Sequence, residues 1–159
     1  MRYNTIRKMD VSNGEGVRVS LFTQGCNIHC PGCFNSAAWD YNGGKEFTLE
    51  TIEDIISLME EDYIKGLSIL GGEPFSLQNK DMLLELVAEV KEALPDKTIW
   101  IWSGHQYEEL IKDDDYKYIL KYCDVLVDGP FIKDLKDDNL EWRGSSNQRV
   151  IKLNVFKKK

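Results

Sequence analysis

The stretch CNIHCPGC, residues 26–33, places the three cysteines Cys26, Cys30 and Cys33 within eight residues. No regular helix or strand points side chains at this spacing toward one spot, so we expect a loop wrapped around a metal centre. Thiolates are soft ligands that select zinc or iron–sulfur clusters. A structural zinc site has four ligands, whereas a [4Fe–4S] cluster held by three thiolates keeps one iron open. The spacing favours the cluster, with a zinc knuckle or three unrelated buried thiols as the alternatives.

A second motif follows a short apolar strand predicted at residues 67–70. This strand ends in Gly71, Gly72, Glu73 and Pro74. Two glycines at a strand end allow positive φ and a close approach of the backbone to a ligand. A carboxylate at Glu73 can accept a hydrogen bond from an ammonium group. Taken alone, this is an ordinary turn, and its meaning comes from its place downstream of the cysteines.

The two motifs, CxxxCxxC and then Gly-Gly-Glu-Pro, together resemble the radical S-adenosylmethionine (SAM) enzymes. In that family, the open iron is chelated by the amino and carboxylate groups of SAM. The residue before the last cysteine is usually aromatic there, but here it is Gly32, and Phe34 follows. The form CPGCFN, residues 30–35, is similar to one subgroup, the activating proteins of anaerobic ribonucleotide reductases.

The resemblance implies the cofactors and the site. The cofactors are a [4Fe–4S] cluster and SAM. Cys26, Cys30 and Cys33 would ligate the cluster and act in catalysis through it. The residues that the resemblance and the strand ends assign to SAM binding are Gly32, Cys33, Phe34, Gly71, Gly72, Glu73, Ser103 and Asp128. For Ser103, a simple turn cap is an equal alternative.

The resemblance also implies a reaction and partners. Reductive cleavage of SAM would give a 5′-deoxyadenosyl radical, which would abstract hydrogen from a glycine of the reductase's large, catalytic subunit. An electron donor such as flavodoxin or ferredoxin would be needed. Two other classes stay open: an activator of another glycyl radical enzyme of the formate-lyase type, and a non-enzymatic iron–sulfur or zinc module.

The remaining pattern predicts an α/β fold. Predicted strands at residues 17–23, 67–70, 98–102 and 125–127 alternate with helices at about 48–62, 80–94, 106–112 and 115–122. This order indicates a mostly parallel sheet with crossover helices, and ligands bind at the carboxyl ends of such strands. A closing strand is expected from Arg149 onward, and residues 1–16 are interpreted as a turn-rich lead-in. With about five strands, the resemblance implies a compact partial (β/α) barrel, one radical SAM domain spanning residues 1–159.

Three further features carry predictions. Cys123 precedes a strand, so we expect a packed hydrophobe at the opposite end from the cofactor and not a fourth ligand. Asn79 and Thr48 are predicted helix caps. The polar segment at residues 142–149 contains Trp142 and Arg149. It is either a partner contact, because aromatic and arginine side chains suit an interface, or a loop whose tryptophan packs in the core.

Composition excludes some function classes. The chain has 159 residues with 42% hydrophobic and 30% charged residues, which is typical of a globular domain. A net charge of −7 argues against binding to nucleic acid through its phosphates. No apolar run approaches the roughly 18 residues of a membrane span, and the N-terminus has no signal-peptide core. We therefore expect a cytoplasmic protein, in which clustered thiols bind metal before they form disulfides.

Overall fold

The computed structural model describes residues 1–26 and 40–153, and within them the strands form one sheet of seven in the order β3-β1-β2-β4-β5-β6-β7. Their bounds are β1 Arg2–Asp10, β2 Arg18–Gln24, β3 Lys45–Glu46, β4 Gly66–Gly71, β5 Thr98–Trp102, β6 Val125–Asp128 and β7 Arg149–Lys152. The four central strands β2, β4, β5 and β6 are parallel to one another. Both edges are antiparallel, through β1 and β3 on one side and β7 on the other.

Helices connect the parallel strands. They are α1 Leu49–Met59, α2 Lys80–Ala93, α3 Tyr107–Leu110 and α4 Asp114–Leu120. Helix α1 begins with a capping box in which Thr48 and Thr51 each accept from the other's backbone N–H. Its side chains at helical spacing, among them Ile52 and Ile55, are buried. The predicted α/β fold with crossover helices is confirmed, and its open sheet agrees with a partial radical SAM barrel.

The two faces of the sheet are packed differently. In β5, Ile99 and Ile101 face the helices and belong to the main core. The alternate side chain Trp100 lies on the opposite face, where it packs with Val125 and Val127. The period-2 alternation of a strand sorts the side chains in this way. The face opposite these helices therefore carries its own small aromatic cluster.

The side chain of Arg18 is buried on this second face, at the amino end of the parallel strands. Arg18 is 1% exposed and donates to Ser68 Oγ and to the carbonyl oxygens of Leu67 and Thr98. Its guanidinium also lies 5.5 Å from the ring centroid of Trp100. Burial lowers the pKa of Arg18 to about 10. The cation is thus held by neutral acceptors at the end of the sheet opposite to the expected cofactor.

Two local predictions were wrong. Residues 1–16 are not only a lead-in, because β1 occupies Arg2–Asp10 and pairs with β2. Asn79 makes no side-chain cap for α2; its amide instead donates to the carbonyl oxygens of Glu73 and Pro74. Within the described residues, no helix is long and apolar enough to cross a membrane.

Candidate functional site

The carboxyl ends of β2 and β4 are joined where the two sequence motifs meet. The backbone N–H of Gly72 donates to the Thr23 carbonyl oxygen at 2.9 Å, and that of Glu73 donates to the Gly25 carbonyl oxygen at 2.8 Å. Cys26 is the next residue along β2's exit and is 8% exposed. The first cysteine and the Gly-Gly-Glu-Pro turn therefore lie at one edge of the sheet, as the strand-end argument predicts.

Of the three motif cysteines, the described part of the chain contains Cys26, and its position fits an iron–sulfur cluster. Cys26 offers a buried sulfur at the carboxyl edge, and thiolates suit iron. Cys30, Cys33, Gly32 and Phe34 lie outside the described residues. Within residues 1–26 and 40–153, no group of three or more His, Cys, Asp or Glu side chains could hold a metal ion. A metal site at this edge would therefore need the cysteines of residues 26–33, and their role as metal ligands remains a prediction.

Side chains tie together the two flanks of the cysteine loop. The Gln24 amide donates to the Asp40 carbonyl oxygen at 2.9 Å. The ring of Tyr41 lies so close to Gly25, whose φ is +102°, that a Cβ there would meet it at 2.2 Å. Tyr41 Oη also lies 3.0 Å from Ser76 Oγ. Since only glycine fits beneath this ring, the entry to the loop is closely packed.

The Glu73 carboxylate links the end of β4 to the end of β5. Its Oε2 accepts from the Phe75 N–H at 3.0 Å and from Ser103 Oγ at 2.8 Å, and its Oε1 accepts from the Gly104 N–H at 2.6 Å. Glu73 is 1% exposed, and burial raises its pKa although these hydrogen bonds oppose the rise. Two oxygens offer about four acceptor sites, so the three donors found among residues 1–26 and 40–153 leave room for one more on Oε1. The assignment of Glu73 to the SAM ammonium remains a prediction.

Close packing also explains the glycine at position 71, two residues before Glu73. Gly71 has a φ of +111°, and a Cβ at that position would lie 2.5 Å from the backbone N and O of Thr23. Any other residue would push β4 away from β2. The predicted close backbone approach is therefore present, although here it is an approach to the neighbouring strand.

The Asp128 carboxylate links the end of β6 to the start of α3 and to β7. Its carboxylate is 1% exposed and accepts from the Tyr107 N–H at 2.7 Å and from both Nε and Nη2 of Arg149. Arg149 also donates two bonds to Glu108, which lowers the pKa of Glu108 to about 2 and raises the pKa of Arg149. The role of Asp128 in SAM binding stays a prediction.

The structure also locates the other residues singled out in the sequence. Cys123 is fully buried before β6, at the amino end of that strand, and its Sγ lies 3.6 Å from the Ile119 carbonyl oxygen. Trp142 packs edge-on against Trp100 at 4.8 Å between centroids, and its carbonyl oxygen accepts from Trp102 Nε1. Trp142 is thus partly buried against this cluster, while Arg149 is ion-paired with Asp128 and Glu108. A partner contact at residues 142–149 stays a prediction. Sequence reasoning missed Tyr41, which carries no local signal.

Comparison with known proteins agrees with this geometry. Residues 12–151 match the family model described as a 4Fe-4S single cluster domain. That span contains both motifs and the described strands from β2 to the third residue of β7. The match shows a [4Fe–4S] cluster as a cofactor of this chain, while its three cysteine ligands stay a prediction.

Relatives are similar over nearly their whole length. A protein of Vibrio cholerae is 44% identical over 157 residues, which cover 98% of this chain and all of that protein. A protein of Enterobacteria phage T4 is 40% identical over 94% of this chain and 93% of its own length. One of Escherichia coli K12 is 41% identical over 96% and 99%. All three are anaerobic ribonucleoside-triphosphate reductase-activating proteins. With identity at this level from end to end, the chain belongs to the family of anaerobic ribonucleoside-triphosphate reductase-activating proteins.

Proposed function

We propose that this chain is a radical SAM enzyme that activates an anaerobic ribonucleotide reductase by forming a glycyl radical on its large, catalytic subunit. The observation that carries the proposal is the joint at the sheet edge, where the Glu73 N–H bonds to Gly25, the residue before Cys26. It supports the proposal because the first motif cysteine and the Gly-Gly-Glu-Pro turn lie at the same edge of the sheet. The full-length similarity to reductase-activating proteins supports the choice of partner.

In this proposal, Cys26, Cys30 and Cys33 hold the [4Fe–4S] cluster. The cluster would supply the one electron needed for reductive cleavage of SAM to methionine and a 5′-deoxyadenosyl radical, and that radical would become 5′-deoxyadenosine by taking a hydrogen atom from the reductase glycine. The electron comes from an external donor such as flavodoxin or ferredoxin. The protein's part is to bind, orient and exclude water around these groups.

The described residues support specific roles at the edge. With the donors of the described part of the chain counted, Glu73 has one acceptor site left on Oε1, which suits the ammonium of SAM, and Gly71 and Gly72 bring backbone to the same place. Tyr41, packed over Gly25, would shield the start of the cysteine loop from solvent. Gly32 and Phe34 would contribute backbone to SAM binding, and Ser103 would lie near its ribose.

The role that we propose for Asp128 in SAM binding is indirect. Because Arg149 and the Tyr107 N–H engage its carboxylate, we propose that it supports SAM binding by fixing the loop after β5. We treat residues 1–159 as one radical SAM domain, which the continuous sheet and the family match over residues 12–151 support. We also propose a cytoplasmic location, since there the thiols that bind the cluster stay reduced.

The test mixes the cluster-loaded protein, SAM, a strong reductant and the cognate large reductase chain without oxygen. We expect a glycyl radical by electron paramagnetic resonance (EPR), together with 5′-deoxyadenosine. A reductase whose target glycine is replaced by alanine is the control and should give no protein radical. If SAM is cleaved but only a formate-lyase-type enzyme acquires a radical, the partner is wrong. If the reduced protein does not cleave SAM even with the reductase, the enzyme assignment fails.

A further inference from the structure

The segment at residues 142–148 lies along the carboxyl ends of β5 and β6, on the face of the sheet that carries the aromatic cluster. The carbonyl oxygen of Trp142 accepts from Nε1 of Trp102, the last residue of β5, at 2.7 Å. At the other end of the segment, Gln148 Nε2 donates to the carbonyl oxygen of Gly129, directly after β6, at 2.9 Å. The segment therefore borders the carboxyl edge of the sheet, where the candidate site lies.

Hydrogen bonds hold this segment in one conformation. Gln148 Oε1 accepts from the backbone N–H groups of Gly144 at 2.9 Å and of Ser145 at 3.1 Å. Asn147 Nδ2 donates to the Pro130 carbonyl oxygen at 2.8 Å. The polar side chains of the segment are thus positioned by the chain itself, before any ligand binds.

Two polar atoms of the segment lack partners. Arg143 Nε and Asn147 Oδ1 are both buried, and neither has a hydrogen-bond partner among residues 1–26 and 40–153. The rest of the Arg143 guanidinium also forms no ion pair or hydrogen bond with that part of the chain. Trp142, beside Arg143, has a φ of +65° and is the one non-glycine residue with a positive φ among those described. Strained residues and unsatisfied buried groups concentrate at functional sites.

The two unpaired atoms indicate the chemistry of a ligand. The Nε–H of an arginine is a donor, and the Oδ1 of an asparagine is an acceptor. A carboxylate or phosphate offers acceptors alone and would leave Asn147 unsatisfied. A peptide group offers one C=O and one N–H and would match both atoms. The pair of Arg143 and Asn147 therefore favours polypeptide backbone over an anion.

We propose that Arg143 and Asn147 hold the peptide groups that flank the target glycine of the reductase. The inference rests on the proposed function, which supplies that glycine. Glycine has no side chain, so a protein can hold it only through the backbone on either side. Because both atoms are covered in the free protein, the segment shifts when the reductase binds, and we expect the shift to begin at the strained Trp142.

The experiment measures how much large reductase chain the cluster-loaded protein needs for half-maximal glycyl radical formation at saturating SAM. Arg143→Met removes the donors and keeps an unbranched side chain, and it should raise this concentration about tenfold because a charge-assisted hydrogen bond is lost. Its melting temperature should not fall, since Arg143 has no partner in the described chain. Arg7→Met, the same replacement on the exposed edge strand β1, is the matched control and should need no more reductase than the unmodified protein.

A second pair of variants tests the acceptor at Asn147. Asn147→Ala and Asn147→Asp both lose the amide that donates to Pro130, but Asp keeps a side-chain oxygen. We expect Asn147→Ala to need about fivefold more reductase and Asn147→Asp to recover most of that loss. Equal requirements in the two variants would assign the effect to the Pro130 bond and overturn the role of Asn147.

SAM titration and amide hydrogen exchange complete the test. SAM affinity should be the same in Arg143→Met as in the unmodified protein, and residues 143–147 should exchange more slowly when the reductase is bound. An unchanged reductase requirement in Arg143→Met, or unchanged exchange, would mean that water satisfies these atoms and that the proposal is wrong. Weaker SAM binding in Arg143→Met would assign the segment to SAM and also overturn it. The proposed function stands in these cases, and it fails if the unmodified protein forms no radical on the reductase.

Discussion

Replacing Glu73 with glutamine tests whether this carboxylate both holds the strand ends and binds SAM. In the folded protein, Oε2 accepts two bonds and Oε1 accepts one. Glutamine keeps the shape but turns one oxygen into an NH₂ group. Whichever way the amide is turned, a backbone N–H, from Phe75 or from Gly104, then faces another donor. Ser103 can adapt, since its hydroxyl can accept as well as donate.

The magnitude follows from that mismatch. A buried donor left without an acceptor costs about 1–3 kcal/mol, and part of this is offset because the variant no longer buries a charge. For a chain of this size, 1 kcal/mol shifts the melting temperature by about 2–4 °C, so we expect Glu73→Gln to melt a few degrees lower. Loss of a charge-assisted bond of about 1.5–3 kcal/mol should weaken SAM binding by roughly tenfold or more.

Two measurements separate the roles. Thermal melting of the metal-free protein reports the strand-end links, and anaerobic SAM titration of the reconstituted protein reports ligand binding. Iron content should be unchanged. Glu85→Gln, the same replacement at an exposed position of α2, is the matched control and should alter neither. Lower melting with unchanged SAM affinity would limit Glu73 to a structural role; no change in either measurement would refute the reasoning.

Three further predictions concern other parts of the chain. Cys26→Ala should lose the cluster, as should the corresponding change at the other two motif cysteines, while Cys123→Ala should keep it; iron quantitation after anaerobic reconstitution decides, and a full cluster in Cys26→Ala contradicts the ligand assignment. Arg149→Met should lower the free energy of unfolding by about 1–3 kcal/mol, because the buried carboxylate of Asp128 would lose two of its donors although the Arg149 side chain is itself 44% exposed; chemical denaturation measures this, and a stability equal to that of the unmodified protein would contradict it. The pKa of Glu108 is lowered from its usual value of 4.5 to about 2. The ion pair therefore stabilises the fold fully above a pH of 4.5, and this stabilisation is lost as the pH falls toward 2. Acid unfolding of Glu108→Gln should therefore depend less steeply on pH over that window, and identical slopes would argue against the pair.

The central strands could be predicted from the sequence because each is a run of apolar residues, as expected of a strand that is buried on both faces. Residues 67–70 and 125–127 are examples, and both became parallel strands. Strand β1 gave no such signal. Its sequence, RYNTIRKMD, has no alternation, since most of its side chains stay at least partly exposed. An edge strand is held by its neighbour's backbone, which a pattern of side chains does not report.

The residues of the candidate site also differ in whether the sequence alone predicts them. The cysteine spacing and the Gly-Gly-Glu-Pro turn are local patterns, and local patterns can be read directly. The link between Asp128 and Arg149 spans 21 positions and exists because the antiparallel register of β6 and β7 sets these two residues opposite each other. The contact of Tyr41 with Gly25 depends likewise on how the chain returns after residue 39. Such pairings are properties of the folded sheet.

The bond from Gln24 to Asp40 has a consequence for how the metal centre assembles. It joins residues 16 positions apart on either side of the cysteine loop. Bringing together the ends of a flexible segment of that length costs an entropy equivalent to about 2.5 kcal/mol, plus a constant term. Because the bond belongs to the folded chain, folding of the sheet would already restrict the two ends of the cysteine loop. We therefore expect the folded protein to bind the cluster more tightly than a free peptide of the same sequence does.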